Sequence, residues 1–387
     1  MPSTPLKNLL YRTALPIFAP SPRKQMTHQT TGMSVVHFSD YERLLIRHHV
    51  FGASLLLQSG KKTSQVFSST NNPKHASGPD TIFRVASITK MATALVTLMC
   101  VDEGYFSLDT PIRPLLPEVE HSAVLEGITI RHLLNHTSGL QDLPVMDQAL
   151  RAGDTFDAVL AAPDIQTSKP GQIMEYCNFG FGLLGCLLEN VTGICVSELF
   201  RVKLFEPLGM CATLDASTLD ESLIMPISRV LPYKKGHDMT ITKLGRVPLT
   251  ATDPLRHFGH TAGAMYTNAP SLANLLALIG NSGICNGQRL VSAELMTEMT
   301  QVQSSTPTRT YGLGLVLLKR PEISKHLLLG HQGFAYGCVD GAFIEEGTGQ
   351  MVVFLNGGAS EAREGKLGLV NKDLLTWAFQ KEFPAWM

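Results

Sequence analysis

Hydrophobic and polar positions change period along the chain, and the change predicts its organisation. FGASLLLQ (51–58) and TSQVFSS (63–69) are typical of two strands, joined by a Ser-Gly-Lys-Lys turn at 59–62. Before them, SDYERLLIRHH predicts a short amphipathic helix capped by Ser39. Residues 100–260 are mostly helical patterns interrupted by Pro and Gly.

The last third returns to strand patterns. TYGLGLVLL (310–318), HLLLGH (326–331), CVDGAFIEE (338–346) and QMVVFLN (350–356) predict consecutive strands, followed by a closing amphipathic helix. Strands at both ends with helices between them predict one antiparallel sheet flanked by helices, an α/β (α+β) fold. We expect a domain over 39–387, with its α/β part at 39–95 and 262–387 and a mostly helical insert at 96–261.

Composition narrows the class of protein. The 387 residues carry 32 Lys and Arg against 33 Asp and Glu, a net charge of −1, so nucleic-acid coating is not expected. Charged residues are 17% and hydrophobic residues 44%, which indicates a compact protein with a large core. This balance excludes a disordered tail protein, a coiled coil and a collagen-like fibre.

Cysteine usage and the N-terminus bear on the compartment. The seven cysteines contain no CxxC pair, which favours a reducing compartment, and no apolar run approaches the roughly 20 residues of a membrane span. Residues 1–38 contain no acidic residue, which predicts a flexible tail or, alternatively, an organellar targeting segment. A cytoplasmic location is the expectation.

The first candidate for chemistry is Ser87-Ile-Thr-Lys90. At a helix start, residues three apart share a face, so the hydroxyl and the amine can touch near the positive end of the helix dipole. The SxxK pattern also occurs at Ser21–Lys24 and Ser59–Lys62, but only the third copy precedes a long apolar segment. Its position therefore selects it.

Two further motifs could complete a site. Tyr176-Cys177-Asn178 offers a phenol that can act as a general base near a lysine, although a half-buried structural tyrosine is the alternative. His331-Gln332-Gly333 follows a predicted strand, where a glycine would let a substrate approach the backbone. Each pattern also occurs a second time, as a decoy motif in a less suitable position. The decoys are Tyr266–Asn268 for the first motif and His257–Gly259 for the second.

From about residue 50 to 380 the chain resembles the serine β-lactamase and penicillin-binding superfamily, in its class C-like branch of esterases, D-aminopeptidases and transesterases. Besides the three motifs, the likeness includes ITIRHLLNHTSGL (128–140), KLFEPLGM (203–210), TAGAMYTNAPSLANLL (261–276) and YGLGLVL (311–317), in the order of the family. The resemblance implies a β-lactamase-like fold that needs no cofactor.

It also implies roles for particular residues. Ser87 would be the acylated nucleophile, Lys90 its proton-accepting or pKa-lowering partner, and Tyr176 the base that shuttles the proton to the leaving group. The backbone N–H groups of Ser87 and Phe334 would form the oxyanion hole. Contacts to the substrate would come from Asn178, His331 and Gly333.

One departure shifts the expected substrate. His331 stands where β-lactamases and D,D-peptidases usually have the lysine of KTG, which favours esters and thioesters over β-lactams. We therefore expect an acyl-serine enzyme that cleaves a small ester, thioester or amide. One alternative is an acyltransferase that passes the acyl group to an alcohol, an amine or a carrier, similar to the transesterases of polyketide pathways. The other is a non-catalytic scaffold or sensor.

The histidines raise the alternative of a metal site. His132 and His136 have the i, i+4 spacing of a shared ligand pair, but HExxH is incomplete and no third ligand is evident. No metal is expected. Residues 232–248 are expected to form a hairpin or flap over the cleft and to influence specificity.

Overall fold

A nine-stranded antiparallel sheet forms the frame of the computed structural model, which describes residues 26–70, 76–143, 159–230, 249–257 and 259–387. In chain order the strands are β1 (Thr27–Gly32), β2 (Ala53–Ser59), β3 (Lys62–Ser69), β4 (Phe83–Arg84), β5 (Ala212–Thr213), β6 (Tyr266–Thr267), β7 (Ile284–Cys285), β8 (Gln288–Arg289), β9 (Ser304–Thr306), β10 (Arg309–Tyr311), β11 (Val316–Leu318), β12 (Leu328–Ala335), β13 (Cys338–Glu345), β14 (Met351–Asn356), β15 (Arg363–Glu364) and β16 (Leu367–Gly368). The large sheet has the order β1-β3-β2-β14-β13-β12-β11-β10-β9, and β4-β6-β5 form a small separate sheet.

The helices lie on both faces of the large sheet. They are α1 (Phe38–Arg47), α2 (Thr89–Asp102), α3 (Ile130–Leu134), α4 (Asn178–Thr192), α5 (Val196–Phe200), α6 (Pro254–His257), α7 (His260–Gly263), α8 (Ala269–Gly280), α9 (Ala293–Thr300), α10 (Leu369–Trp377) and α11 (Phe383–Trp386). Single π-helical turns follow α5 at Arg201–Phe205 and α10 at Ala378–Glu382. The N-terminal and C-terminal ends of the chain thus supply the sheet, as the strand patterns predicted.

Two hydrophobic cores sandwich the sheet, which explains why its central strands are apolar at nearly every position. In β2, Leu55 and Leu57 join the core that contains Trp377 of α10, whereas Leu56 joins the core of the helical region. Side chains alternate across a strand, so a strand buried on both faces reads as a continuous apolar run. The expected antiparallel sheet flanked by helices is confirmed.

The boundary of the N-terminal tail needs correction. Thr27–Gly32 falls within the predicted tail 1–38 but forms β1, paired along its whole length with β3. Five of its six residues are exposed, so no apolar alternation marks this edge strand in the sequence. Backbone pairing defines it, together with contacts of the His28 side chain to Ser68 and Phe38. Residues 1–25 lie outside the described residues.

Two local predictions also differ from the structure. Helix α1 begins at Phe38, preceded by His37 with no side-chain cap, so Ser39 lies inside the helix rather than capping it. The segment predicted as one strand at 310–318 is divided into β10 and β11, because Gly314 has a φ of 65° and turns the chain. The apolar run continues across the turn, which is why the sequence did not reveal it.

Among the described residues, no single helix is both long and apolar enough to span a membrane. The pair Asn178–Thr192 and Val196–Phe205, bent by 88°, passes that test only when the two are taken together, by length and composition.

Candidate active site

Ser87 lies at the start of the buried helix α2. A 3₁₀ turn over Ala86–Ile88 leads into the helix, and Ala86, immediately before Ser87, has a φ of 47°. Such a backbone is strained for a residue with a side chain and is held by its surroundings. Thr89 Oγ1 donates to the Ala86 carbonyl at 2.6 Å and accepts the N–H of Met265 at 3.1 Å. These hydrogen bonds hold the backbone turn that carries Ser87 at the start of α2.

Lys90 lies one turn further on and is fully buried. Its Nζ is 3.2 Å from Ser87 Oγ, 2.7 Å from Asn178 Oδ1 and 2.6 Å from the Ala262 carbonyl oxygen. Burial lowers the pKa of Lys90 to about 7, against the opposing charge of Asp142. The SxxK hydroxyl and amine thus meet as predicted, and the amine can be neutral near pH 7.

Tyr176 lies beside the same pair of residues: Lys90 Nζ is 5.0 Å from the centre of its ring, and a hydrogen bond with Ser87 acts on its pKa. Its ring stacks on His136 at 4.4 Å and lies 6.1 Å from that of Tyr311, and the Arg309 guanidinium lies 5.1 Å from its centre. Burial raises the pKa of Tyr176, opposed by the Ser87 hydrogen bond and the charge of Arg309. The phenol therefore keeps its proton at neutral pH and can donate it.

His331 lies in β12, as its motif predicted. Its Nδ1 contacts the Gln332 carbonyl oxygen at 2.7 Å, while its buried Nε2 has no hydrogen-bond partner among the described residues. Burial lowers the pKa of His331 to about 3, and the charge of Lys90 acts in the same direction. The imidazole is therefore neutral, with Nδ1 as donor and Nε2 as acceptor. It supplies no positive charge for a carboxylate.

Gly333 brings β12 against the Ser87 turn. A Cβ at this position would lie 2.3 Å from the Val85 carbonyl oxygen and 3.3 Å from Ala86 Cβ, so only glycine allows this approach. Phe334, the next residue in β12, is consequently held beside the nucleophile segment. Its ring packs under the Arg363 guanidinium at 3.8 Å.

Cys177 and Asn178 lie at the start of α4. Cys177 is the N-cap residue, and its Sγ accepts the N–H of Gly180 at 3.3 Å. Burial raises the pKa of the Cys177 thiol well above its ordinary value, so it stays protonated and structural. Asn178 is the first residue of the helix and reaches Lys90.

The decoy motifs lie elsewhere. Ser59 and Lys62 flank the β2–β3 turn, and Tyr266 is buried in the small sheet. His257 is buried in a separate cluster, and Ser21–Lys24 lies outside the described residues, as does the flap predicted at 232–248.

Sequence reasoning missed residues that line the site. Asp142, His136, Tyr311 and Arg309 all lie within contact or charge range of the three motifs. Tyr311 belongs to YGLGLVL, which was noted only as part of the resemblance, and His136 was considered only as a possible metal ligand. Asp142 is an exposed residue of a loop, and nothing in its local pattern distinguishes it.

Among the described residues, one side-chain group has the spacing of a metal site, and it does not include His132 or His136. Ligand atoms of the buried residues Glu189, Cys195 and His257 lie within 4.8 Å of one another. However, the Glu189 carboxylate already accepts the N–H of Val196 at 2.7 Å and of Asp253 at 2.9 Å, and contacts His257 Nδ1 at 2.8 Å. These hydrogen bonds satisfy its oxygens and tie α4 to the starts of α5 and α6.

His132 and His136 do not converge. His132 Nδ1 accepts the N–H of Thr129 at 3.2 Å in a capping box, whereas His136 Nδ1 accepts that of Cys177 at 3.3 Å. In the described part of the chain, no group of three potential ligands includes either histidine. Their spacing reflects helix-end hydrogen bonding.

Comparison with known proteins agrees with this arrangement. The fold is β-lactamase-like: it superposes on the D-stereospecific amidohydrolase from Streptomyces sp. with a TM-score of 0.67 at 24% identity, covering 89% of this chain and 98% of that one. For the D-amino acid amidase from Ochrobactrum anthropi SV3, complexed with L-phenylalanine amide, the TM-score is 0.70 at 21% identity, with coverages of 90% and 97%.

The family follows from the sequence match. A family model described as Beta-lactamase matches residues 24–370, so the chain belongs to that family, and the resemblance inferred from the motifs is confirmed. Penicillin-binding protein 4 of Amycolatopsis lactamdurans is 29% identical over 236 residues. That alignment covers 56% of this chain and only 60% of the relative's length.

Proposed function

We propose that this chain is an acyl-serine hydrolase that cleaves a small ester, thioester or amide through a covalent acyl-enzyme on Ser87. The observation that carries the proposal is the environment of Lys90, whose amine has a pKa of about 7 and lies 3.2 Å from Ser87 Oγ. A neutral amine at that distance can accept the hydroxyl proton as the oxygen attacks a carbonyl.

Acylation would use both partners of Ser87. Its proton passes to Lys90 as the oxygen bonds to the acyl carbon, and the leaving group takes a proton from the Tyr176 hydroxyl. The Lys90 ammonium then returns a proton to the Tyr176 phenolate, so protons balance over the step. The protonated phenol of Tyr176 suits this donor role at neutral pH.

The developing negative charge needs hydrogen-bond donors. Ser87 and Phe334 would offer their backbone N–H groups, and the close approach of Gly333 to Val85 supports this placement. Removal of one such donor raises the barrier by roughly 3–4 kcal/mol in other acyl-transfer enzymes.

His331 and the relatives bear on the substrate class. A neutral imidazole whose Nε2 only accepts a hydrogen bond suits an uncharged group with an N–H or O–H, rather than a carboxylate. The solved structures with this fold include amidases, so amides belong in the substrate range together with esters and thioesters.

Water as the acceptor completes hydrolysis. An alcohol, an amine or a carrier as the acceptor would make the chain an acyltransferase, and the steps up to the acyl-enzyme are identical. The test measures the turnover of p-nitrophenyl esters, acyl thioesters and D-amino acid amides, each with and without an added alcohol or amine. A transesterified product that exceeds the hydrolysed acid would assign transfer.

Matched serine variants decide whether the chain is an enzyme at all. Ser87→Ala should abolish turnover and labelling by a fluorophosphonate, whereas Ser59→Ala, at the decoy SxxK motif, should keep both. Wild-type protein that is neither labelled nor active on any of these substrates would contradict the proposal and favour a scaffold or sensor.

A further inference from the structure

Asp142 makes an unusual set of contacts for an exposed loop residue. Its Oδ1 accepts the backbone N–H of Asn178 at 2.7 Å and of Phe179 at 3.0 Å, at the start of α4. Its Oδ2 accepts from the Asn178 side-chain Nδ2 at 2.5 Å. One carboxylate thus holds both the backbone and the amide of a residue that reaches the buried lysine.

These contacts fix the orientation of the Asn178 amide. The oxygen and nitrogen of an amide are distinguished by their partners, and an ionised carboxylate only accepts hydrogen bonds. Nδ2 must therefore face Asp142, which leaves Oδ1 facing Lys90 Nζ at 2.7 Å.

The hydrogen bonds of Lys90 then have a definite direction. A neutral amine has two N–H donors and one lone pair. The Ala262 carbonyl at 2.6 Å and Asn178 Oδ1 at 2.7 Å only accept, so they take both donors. The lone pair remains for the Ser87 hydroxyl at 3.2 Å. With the Asn178 amide reversed, Nδ2–H would occupy that lone pair instead.

We propose that Asp142 is a positioning residue for the acyl-serine reaction: it fixes the Asn178 amide so that Lys90 presents its lone pair to Ser87. This inference rests on the proposed function. The proposed role of Asp142 differs from helix capping. Asparagine caps a helix about as well as aspartate, so capping alone would not distinguish the two residues at position 142. An Asn at 142 would keep an acceptor for the backbone but would present an N–H to Asn178.

Charge gives the proposal a second signature. The carboxylate of Asp142 raises the pKa of Lys90 against the effect of burial, so a neutral residue at 142 should lower that pKa. The other titratable and charged groups facing Lys90 are unchanged by such a substitution; they are Arg84, His136, Tyr176, Cys177 and His331.

The experiment compares Asp142→Asn with wild type in stopped-flow acylation by a p-nitrophenyl ester across pH. The acylation rate should fall roughly 100-fold, the order expected when a general base is lost, while its acidic limb moves to lower pH. Asp220→Asn is the matched control, because Asp220 also caps a helix start but lies away from the site. Its carboxylate accepts the Ser222 N–H at a distance of 2.9 Å. If Asp142→Asn has the same acylation rate and the same acidic limb as wild type, the proposal is overturned.

A double variant separates positioning from stability. In Asp142→Asn/Asn178→Asp the new amide donates to a carboxylate, which again offers Lys90 an acceptor. The acylation rate should recover at least tenfold relative to Asp142→Asn. The acidic limb of its pH profile should lie at a higher pH than in wild type. No recovery in a folded double variant would overturn the proposal.

A readout without turnover separates this inference from the proposed function. Lysine ¹³Cε resonances, assigned to Lys90 with Lys90→Met, report the pKa directly, and Asp142→Asn should lower it. An unchanged pKa would overturn the inference even if Ser87 is acylated normally, whereas a wild-type Ser87 that is never acylated would contradict the proposed function.

Discussion

The amine of Lys90 lies 3.2 Å from the hydroxyl of Ser87, in a buried pocket that lowers the pKa of Lys90 to about 7. A general base works only when unprotonated, so the neutral fraction of Lys90 should limit the rate at low pH. We expect kcat/KM to rise through pH 7 and to fall about tenfold per unit well below it. A profile that is flat between about pH 5 and 9 would exclude this lysine as the base.

The lowered pKa of Lys90 also makes the stability of the fold depend on pH. The folded pKa of Lys90 lies below its ordinary value of 10.5, so the unfolded chain binds the proton first as the pH falls from 10.5 to about 7. Wild type should lose up to about 1.4 kcal/mol of unfolding free energy per pH unit in that window. Lys90→Met should escape this loss. Urea unfolding at several pH values measures it, and parallel pH dependences of the two proteins would show that the lysine is not perturbed.

Tyr176 should matter through its hydroxyl rather than its ring. Tyr176→Phe keeps the stacking on His136 but removes the proton donor, and we expect kcat to fall roughly 10²- to 10⁴-fold. The control is Tyr266→Phe, at the buried decoy motif, which should leave kcat unchanged. Equal kcat values for Tyr176→Phe and wild type would remove Tyr176 from the mechanism.

The substitution Gly333→Ala tests whether activity needs the close packing of β12 against the Ser87 turn. Gly333→Ala would place a Cβ 2.3 Å from the Val85 carbonyl oxygen, so the strand must move away from the Ser87 turn. We expect kcat to fall by roughly 10²- to 10³-fold, as for a lost oxyanion donor. Gly78→Ala, where a Cβ meets nothing within 4 Å, is the control. A folded Gly333→Ala variant with wild-type kcat would show that this contact does not support an oxyanion hole.

The Glu189 cluster should contribute to stability and not to chemistry. Glu189→Ala leaves the N–H groups of Val196 and Asp253 and the His257 ring without their acceptor, so unfolding free energy should drop by about 3–5 kcal/mol. Glu198→Ala, at an exposed ion pair, should leave the unfolding free energy almost unchanged. Dialysis against a chelator should change neither the melting temperature nor the activity. A chelator-induced loss of either would instead indicate a metal at this cluster.

Much of the molecule could be predicted because its signals are local or periodic. Apolar runs marked β2, β13 and β14, and motif position selected Ser87, Lys90, Tyr176 and His331 over their decoys. Each of these residues lies next to a helix start or within a strand, so its own neighbours in sequence indicate its place.

The parts that were missed depend on contacts between distant segments. β1 has no apolar face, and its existence depends on backbone pairing with β3. Asp142 lies 36 residues from Asn178 in the chain, and only the folded loop brings its carboxylate to that amide. The neutral state of His331 likewise follows from burial next to Lys90, which no local pattern records.

Intact-protein mass spectrometry during turnover tests the central claim most directly. Brief mixing with a p-nitrophenyl ester and acid quenching should show one added acyl group, located by peptide mapping to the peptide that contains Ser87 and absent from Ser87→Ala. Wild type that turns the ester over without any acyl adduct on Ser87, or a Ser87→Ala variant that hydrolyses it at the wild-type rate, would contradict the account.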